Sequence, residues 1–310
     1  MVAIPPPNHA TLEAIYKDYE QNNPPKDRPY LGASQMGHEC DRALWYAFRW
    51  VHPPEEQTGR KIRLFETGHR EEERLINDLA RAQVTVVGRQ TDFSALGGHF
   101  KGHLDGIVQG LHEAPATEHV LECKTHNDKS FRDLLKNGVV KSKPGHNVQM
   151  QLYMHYTGLT RALYMAVNKN DDTIHLERVH YDKAAAEAAV KRADRILFTD
   201  RPPSKLHEDP NAPGSFICGW CPAKPVCHEG EWGRRNCRTC ISATVDPEGG
   251  WECEYWHKGL TIEDQREGCP KHVYNPGVVP GEQVDGDEEG RWISYTLRDG
   301  TTFVDGGDDV

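Results

Sequence analysis

The spacing of apolar positions changes along the chain. Residues 41–50 (DRALWYAFRW) set aromatic and aliphatic side chains on one side at helical spacing. Residues 64–83 continue as a second helix, with Leu64, Phe65, Leu75, Ile76 and Leu79 as candidate core positions. The period then shortens to that of a strand. Residues 84–89, 102–111 and 119–125 read as three strands separated by Gly-rich or Pro-containing connections. Helices are expected over 127–136 and 147–156, followed by strands over 161–168 and 174–181 joined by the turn Asn170-Asp171-Asp172. Residues 182–198 are Ala-rich and helical, with Asp182 as N-cap. Helix, three strands, helix, strand predicts a compact mixed α/β core, and there is no internal repeat.

The flanks differ in character. Residues 1–30, rich in Pro and Asn around one amphipathic stretch at 12–19, read as an arm. The core domain is expected over 31–230, a small cysteine-bearing module over 231–275, and a Gly/Asp-rich acidic tail over 276–310. Within that tail, residues 292–304 (WISYTLRDGTTFV) predict a hairpin around Arg298-Asp299-Gly300. No apolar run reaches the length of a membrane span, and MVAIPPPNHA lacks the order of a signal peptide. A cytoplasmic protein with no membrane partner is expected.

The net charge of −10 argues at first against a nucleic-acid partner. More than half of that excess sits in residues 270–310, where nine Asp/Glu face three Lys/Arg. The segment 129–143 has the opposite sign, with Lys129, Arg132, Lys136, Lys141 and Lys143 against Asp133 alone. Phosphate responds to local sign, so the total charge does not exclude DNA, and these five cations are candidate DNA contacts.

The candidate chemistry lies in GHLDG (Gly102 to Gly106) and, on the next strand, LECKT (Leu121 to Thr125). Glu122 and Lys124 are two apart on a strand and share a face, which Asp105 can reach from the middle of its own strand. Two carboxylates with an ammonium between them suit phosphodiester hydrolysis. The acids can hold one or two Mg²⁺ or Mn²⁺ ions that activate a water, and the lysine can position that water or offset charge on phosphorus. A lone Glu-x-Lys is ordinarily a solvated strand face, but here its neighbours are apolar or small. Gln149 and Tyr153, four apart on a helix, can hydrogen-bond a DNA strand or the lysine. Gln151 competes for the glutamine role but lies off the face of Tyr153. His69, expected at the start of its helix, can add an imidazole to a metal shell.

Together these residues resemble the RecB-like branch of the PD-(D/E)xK nucleases, in which a His, an Asp, a Glu-x-Lys and a Gln-x-x-x-Tyr follow in this order. The resemblance covers residues 30–230. It implies a mixed-sheet, restriction-endonuclease-like core in which His69, Asp105, Glu122 and the backbone carbonyl of Cys123 ligate the metal. Lys124, Gln149 and Tyr153 would complete the catalytic set.

Nine cysteines in a cytoplasmic chain should be reduced thiols, and eight of them fall in two sets. Cys218, Cys221 and Cys227 form C-x2-C-x5-C, with Cys40 far upstream in SQMGHECDRALWY. Spacing alone says only that these four bind metal. The same pattern marks the iron–sulfur members of the family, such as the CRISPR-associated RecB-like exonucleases and AddB-type nuclease domains. That resemblance implies a [4Fe–4S] cluster clipping the two ends of the domain together, with tetrahedral Zn²⁺ the simpler alternative. The second set, Cys237, Cys240, Cys253 and Cys269, predicts a structural Zn²⁺ module, with His272 or His257 as replacement ligands.

The sequence thus implies a metal-dependent DNA exonuclease in recombination, repair or processing. The preference for ends, and an annealing or helicase partner, come from the family alone. A non-catalytic, metal-stabilised DNA-binding or scaffold protein and a structure-specific endonuclease are the alternatives.

Overall fold

The computed structural model describes residues 9–289 and 291–307. The first eight residues of the expected arm, Gly290, and Asp308 to Val310 at the end of the expected acidic tail lie outside the described residues. Helices α1 (Ala10–Asn22), α2 (Asp41–Phe48) and α3 (Gly59–Arg81) come first, with the short strand β1 (Leu31–Gly32) between the first two. Strands β2 (Thr85–Val87), β3 (Asp92–Ala95), β4 (Phe100–His103), β5 (Gly106–Gln109) and β6 (His119–His126) follow. Then come helices α4 (Asp128–Ser142) and α5 (Pro144–Thr157), strands β7 (Arg161–Asn168) and β8 (Ile174–His180), and helix α6 (Lys183–Phe198).

β2, β5, β6, β7 and β8 form one mixed sheet in that order. The β6–β7 pair is parallel and the other neighbours are antiparallel. A parallel pair needs a crossover, and α4 and α5 supply it. Both faces of β6 and β7 are covered, which is why these strands alternate so little in polarity. Leu121, Cys123, Leu163, Met165 and Val167 meet Leu75, Ile76 and Leu79 of α3 on one face. Val120, Ala162, Tyr164 and Ala166 join Met150, Leu152 and Ile196 on the other. Each such aliphatic side chain contributes about 1.5–3 kcal/mol when fully buried.

Several sequence expectations need correction. Residues 102–111 are not one strand: β4 pairs with β1 and β3 in a separate sheet, and only β5 joins the central one. Leu64 and Phe65 are not core residues, each being 51% exposed. Much of the expected arm is helix α1, docked on α3 through Tyr19 Oη to Glu66 (3.2 Å) and Gly59 N to Glu20 (2.7 Å). The expected helix over 127–136 runs on to Ser142 across a kink at Gly138, whose φ of 70° suits glycine. Asp182 does cap α6, accepting from Ala185 N at 3.0 Å.

The C-terminal third holds the short helix α7 (Phe216–Gly219), then β9 (Ala243–Val245), β10 (Trp251–Cys253), β11 (Lys258–Leu260) and helix α8 (Ile262–Arg266). β12 (Gly281–Asp287), β13 (Trp292–Leu297) and β14 (Thr302–Gly306) form a last sheet, with β13 and β14 the expected hairpin. Residues of the 231–275 segment share one core with α2: Cys240, Ala243, Trp251 and Leu260 belong to the same cluster as Leu44, Trp45 and Phe48. Arg49 and Arg238, each 1% exposed, lie in this seam. Among the described residues no helix is long and apolar enough to cross a membrane.

Candidate active site

Asp105 stands where the chain leaves one sheet for another. The β5–β6 ladder begins at Gly106 opposite Leu121. One step beyond it, the Asp105 carboxylate takes the place of a strand partner, accepting from Cys123 N at 2.7 Å. A Cβ on Gly102, on β4, would lie 2.3 Å from Phe93 and 2.7 Å from Tyr153. Glycine there lets β4 pass close against α5.

On β6, Glu122 is fully buried and its Oε1 pairs with the Lys124 ammonium. No hydrogen bond of sound geometry reaches that oxygen. The contact is therefore an ion pair. Gln149 Nε2 donates to Glu122 Oε2 at 3.2 Å and to Tyr153 Oη at 2.8 Å, using both hydrogens of one amide. Gln149 and Tyr153, 7% and 2% exposed, are thus braced behind Glu122. Gln151 is structural, holding His180 O and Asp182 N at 2.9 and 2.7 Å.

The opposite wall is α3. His69 lies in the middle of that helix, not at its start, and is exposed. One turn on, Glu72 faces the same way. His69, Glu72, Asp105, Cys123 and Lys124 line one cavity of about 590 Å³, with Lys169, Leu64 and Phe65 also in its wall. Glu72 and Lys169 were not among the expected residues. The signal for Glu72 was its spacing of three from His69, lost in the charged run REEER.

The electrostatics of the cavity follow from three carboxyls around one largely buried ammonium. Burial, opposed by Lys124 and reinforced by Asp105, pushes Glu122 up to about 7. Burial also raises Asp105, with Lys124 and the Cys123 N–H working against it. Glu72 rises through burial first and then through Asp105. For Lys124 burial disfavours the charge, but Glu122 and Asp105 outweigh it and hold the ammonium above its usual range. Hard carboxylate oxygens in surplus over cations are the donor chemistry of Mg²⁺ and Mn²⁺. The residues therefore fit such an ion. Among the described residues, however, no three His, Cys, Asp or Glu side chains stand drawn together as a finished metal-ligand set.

The expected DNA contacts are dispersed along α4. Lys129, Arg132, Lys136 and Lys141 face solvent, Arg132 pairing with Asp128 at 2.6 Å, while Lys143 turns in towards Asp133 at 3.5 Å.

None of the nine cysteines is in a disulfide. Within each set the thiols feel one another's charge. Cys221 and Cys227 each feel the charges of Cys40 and Cys218, and burial is the larger reason that both are raised. Burial, then Cys240, Cys269 and Cys253, push Cys237 up to about 11.

No protein-family model matches the chain, and no curated protein does. Among solved structures, SSO0001 is similar over 70% of this chain and 96% of its own, at 14% identity and a TM-score of 0.43. An alkaline exonuclease from Laribacter hongkongensis is similar over 60% of this chain and 90% of its own, at 17% identity and 0.40. A phage-related exonuclease from Haemophilus somnus 129PT is similar over 54% and 91%, at 12% identity and 0.38. Likeness at this level leaves the assignment to the chain's own geometry.

Proposed function

We propose that this chain is a divalent-metal-dependent DNA nuclease acting from strand ends, with Asp105, Glu122 and Lys124 at its centre. The observation that carries the reading is the cavity that gathers Asp105, Lys124, Glu72 and His69, with Glu122 braced behind it. Asp105, Glu122, His69 and the carbonyl of Cys123 would hold Mg²⁺ or Mn²⁺, and Glu72 extends that set. Such an ion, when bound, polarises the phosphate and lowers the pKa of an attacking water.

The chain's own residues do the rest. The Cys123 N–H fixes one oxygen of Asp105 and leaves the other for the cavity. Gln149, itself steadied by Tyr153, fixes the orientation of Glu122. Lys124 keeps its proton and lies in the cavity wall, where it can orient water or offset charge on phosphorus. Lys169 at the wall and the exposed cations of α4 supply positive charge for the backbone of the strand. The preference for ends rests on the family resemblance. We also assign to Cys40, Cys218, Cys221 and Cys227 a metal–thiolate clip, [4Fe–4S] by resemblance and Zn²⁺ as the alternative; their C-x2-C-x5-C spacing with one upstream cysteine supports this.

The test is end-labelled linear DNA with Mg²⁺ or Mn²⁺, using protein purified without oxygen and the Glu122→Ala variant beside it. Wild type should shorten the linear substrate and spare a closed circle, and the folded variant should be inactive. Equal cutting by the variant, or no cutting by wild type with either ion, overturns the proposal.

A further inference from the structure

One backbone turn recurs at two Cys-x2-Cys pairs and one Cys-x2-His pair. In Cys218–Cys221, Cys237–Cys240 and Cys269–His272 the N–H of the fourth residue donates to the carbonyl of the first, at 3.2, 3.0 and 3.0 Å. Such a turn brings its first and fourth side chains close together. The second and third of these turns border a common cavity of about 510 Å³, and Cys253, at the end of β10, completes its wall. Four thiols from three separate stretches of chain therefore surround one space, outside the proposed nuclease site.

His272 supplies an independent sign that something belongs there. Its side chain is 5% exposed and lines this cavity, yet its buried Nδ1 has no hydrogen-bond partner. Its Nε2 lies 3.4 Å from Thr239 Oγ1. A buried polar atom without a partner costs about 1–3 kcal/mol. A thiolate beside it would supply a strong acceptor.

We infer that Cys237, Cys240, Cys253 and Cys269 form a structural Zn²⁺ site, with His272 donating Nδ1–H to one of the coordinating sulfurs. Binding displaces the four thiol protons to solvent and forms four Zn–S bonds, with no change of oxidation state. The side chains must close on the ion. Cys237 Sγ lies 3.2 Å from the carbonyl of Asp264 and 3.4 Å from that of Glu267. Four thiolates leave no open position, so the site is structural and not catalytic. Its place in the fold says what it secures. Between Cys237 and Cys240 lie Arg238 and Thr239, 1% and 0% exposed, and Arg238 is seated among Phe48, Trp50 and Trp251. The ion thus holds the turn that presents Arg238 to the core around α2.

The experiment uses the full chain, stripped with a chelator under reducing conditions and then supplied with Zn²⁺ alone. Each cysteine's rate of alkylation is read by peptide mass spectrometry. Zn²⁺ should slow Cys237, Cys240, Cys253 and Cys269 together by at least tenfold, and unchanged rates at these four overturn the inference. Because this reading uses the unmutated chain, it does not depend on a variant folding. The metal content of Cys218→Ser/Cys221→Ser protein, in which the other thiol set is broken, should stay at one zinc per chain. Adding Cys253→Ser should abolish it; zinc retained after that change, or iron in its place, also overturns the assignment. Replacing Zn²⁺ by Co²⁺ should give sulfur-to-cobalt charge-transfer bands.

Discussion

Arg238→Met tests the seam between the C-terminal segment and α2. The guanidinium donates to Phe48 O at 2.7 Å, Gln265 Oε1 at 2.9 Å and Pro29 O at 3.1 Å. It lies 3.8 Å from the Trp50 ring centre, with Trp251 at 4.9 Å and Phe48 at 5.1 Å. The nearby carboxylate, Asp27, is already taken by Arg234 at 2.9 Å through both oxygens. Burial first, then the like charge of Arg49, draw Arg238 down to about 9. Methionine keeps much of the stem's volume and removes the fork. Three hydrogen bonds from a charged donor, at about 2 kcal/mol each, are lost and leave their acceptors dry. The ring contacts add about 2 kcal/mol. Against this, the variant no longer desolvates an unpaired cation, a relief of roughly 4 kcal/mol. The hydrogen bonds win, and the net loss is about 4 kcal/mol. Urea unfolding followed by tryptophan fluorescence reads this directly, and a thermal scan should fall by about 8 °C. A loss under about 1 kcal/mol would mean that desolvation cancels the bonds, and the reasoning would fail.

Two further outcomes follow. Gln149→Leu removes the donor that orients Glu122 while leaving the cavity wall intact; DNA cleavage should fall roughly 10- to 100-fold with DNA affinity unchanged. A parallel loss of DNA affinity would instead give Gln149 a direct contact. Burial depresses His126 to about 4 and His146 to about 3, both rings holding Tyr164 Oη at 2.8 Å. Their folded values lie below the usual 6.5, so the unfolded chain binds more protons as pH falls. The stability these rings confer is complete above about 6.5 and drains away as pH drops through about 4. In the His126→Gln/His146→Gln variant the urea midpoint should change less over that window, and an unchanged slope would place the acid sensitivity elsewhere.

How much of this was legible depends on what each signal measures. The Glu122–Lys124 pair and the strand at 161–168 were readable because burial on both faces leaves a long apolar run that only Glu122 and Lys124 interrupt. The hairpin at 292–304 was readable from its turn residues. The break after His103 was not. Phe100, Gly102, Leu104, Gly106 and Val108 are all buried, so the two-residue rhythm runs unbroken through the point where the chain changes partners. Alternation reports which side is covered and is silent about which strand lies alongside. Glu72 was hidden for the converse reason: a run of acids on a helix reads as a solvated face, and only the strands opposite convert one of them into a wall of the cavity. Leu64 and Phe65 were misplaced because an apolar residue at a cavity's mouth carries the same letter as one in the core.

The seam around α2 also bears on what backbone continuity contributes. Residues 201–215 run without helix or strand and join the N-terminal two-thirds to the remainder. The two parts are fastened elsewhere: Arg234 N to Val51 O at 2.7 Å, Asn236 to Trp50 O at 3.0 Å, and the Arg238 fork to Phe48 and Pro29. A nick in that stretch would sever the polymer and leave the particle whole. New termini opened there would cost little, whereas a chain shortened to stop before Arg234 would bare the Trp50 and Phe48 surface to water and to its neighbours.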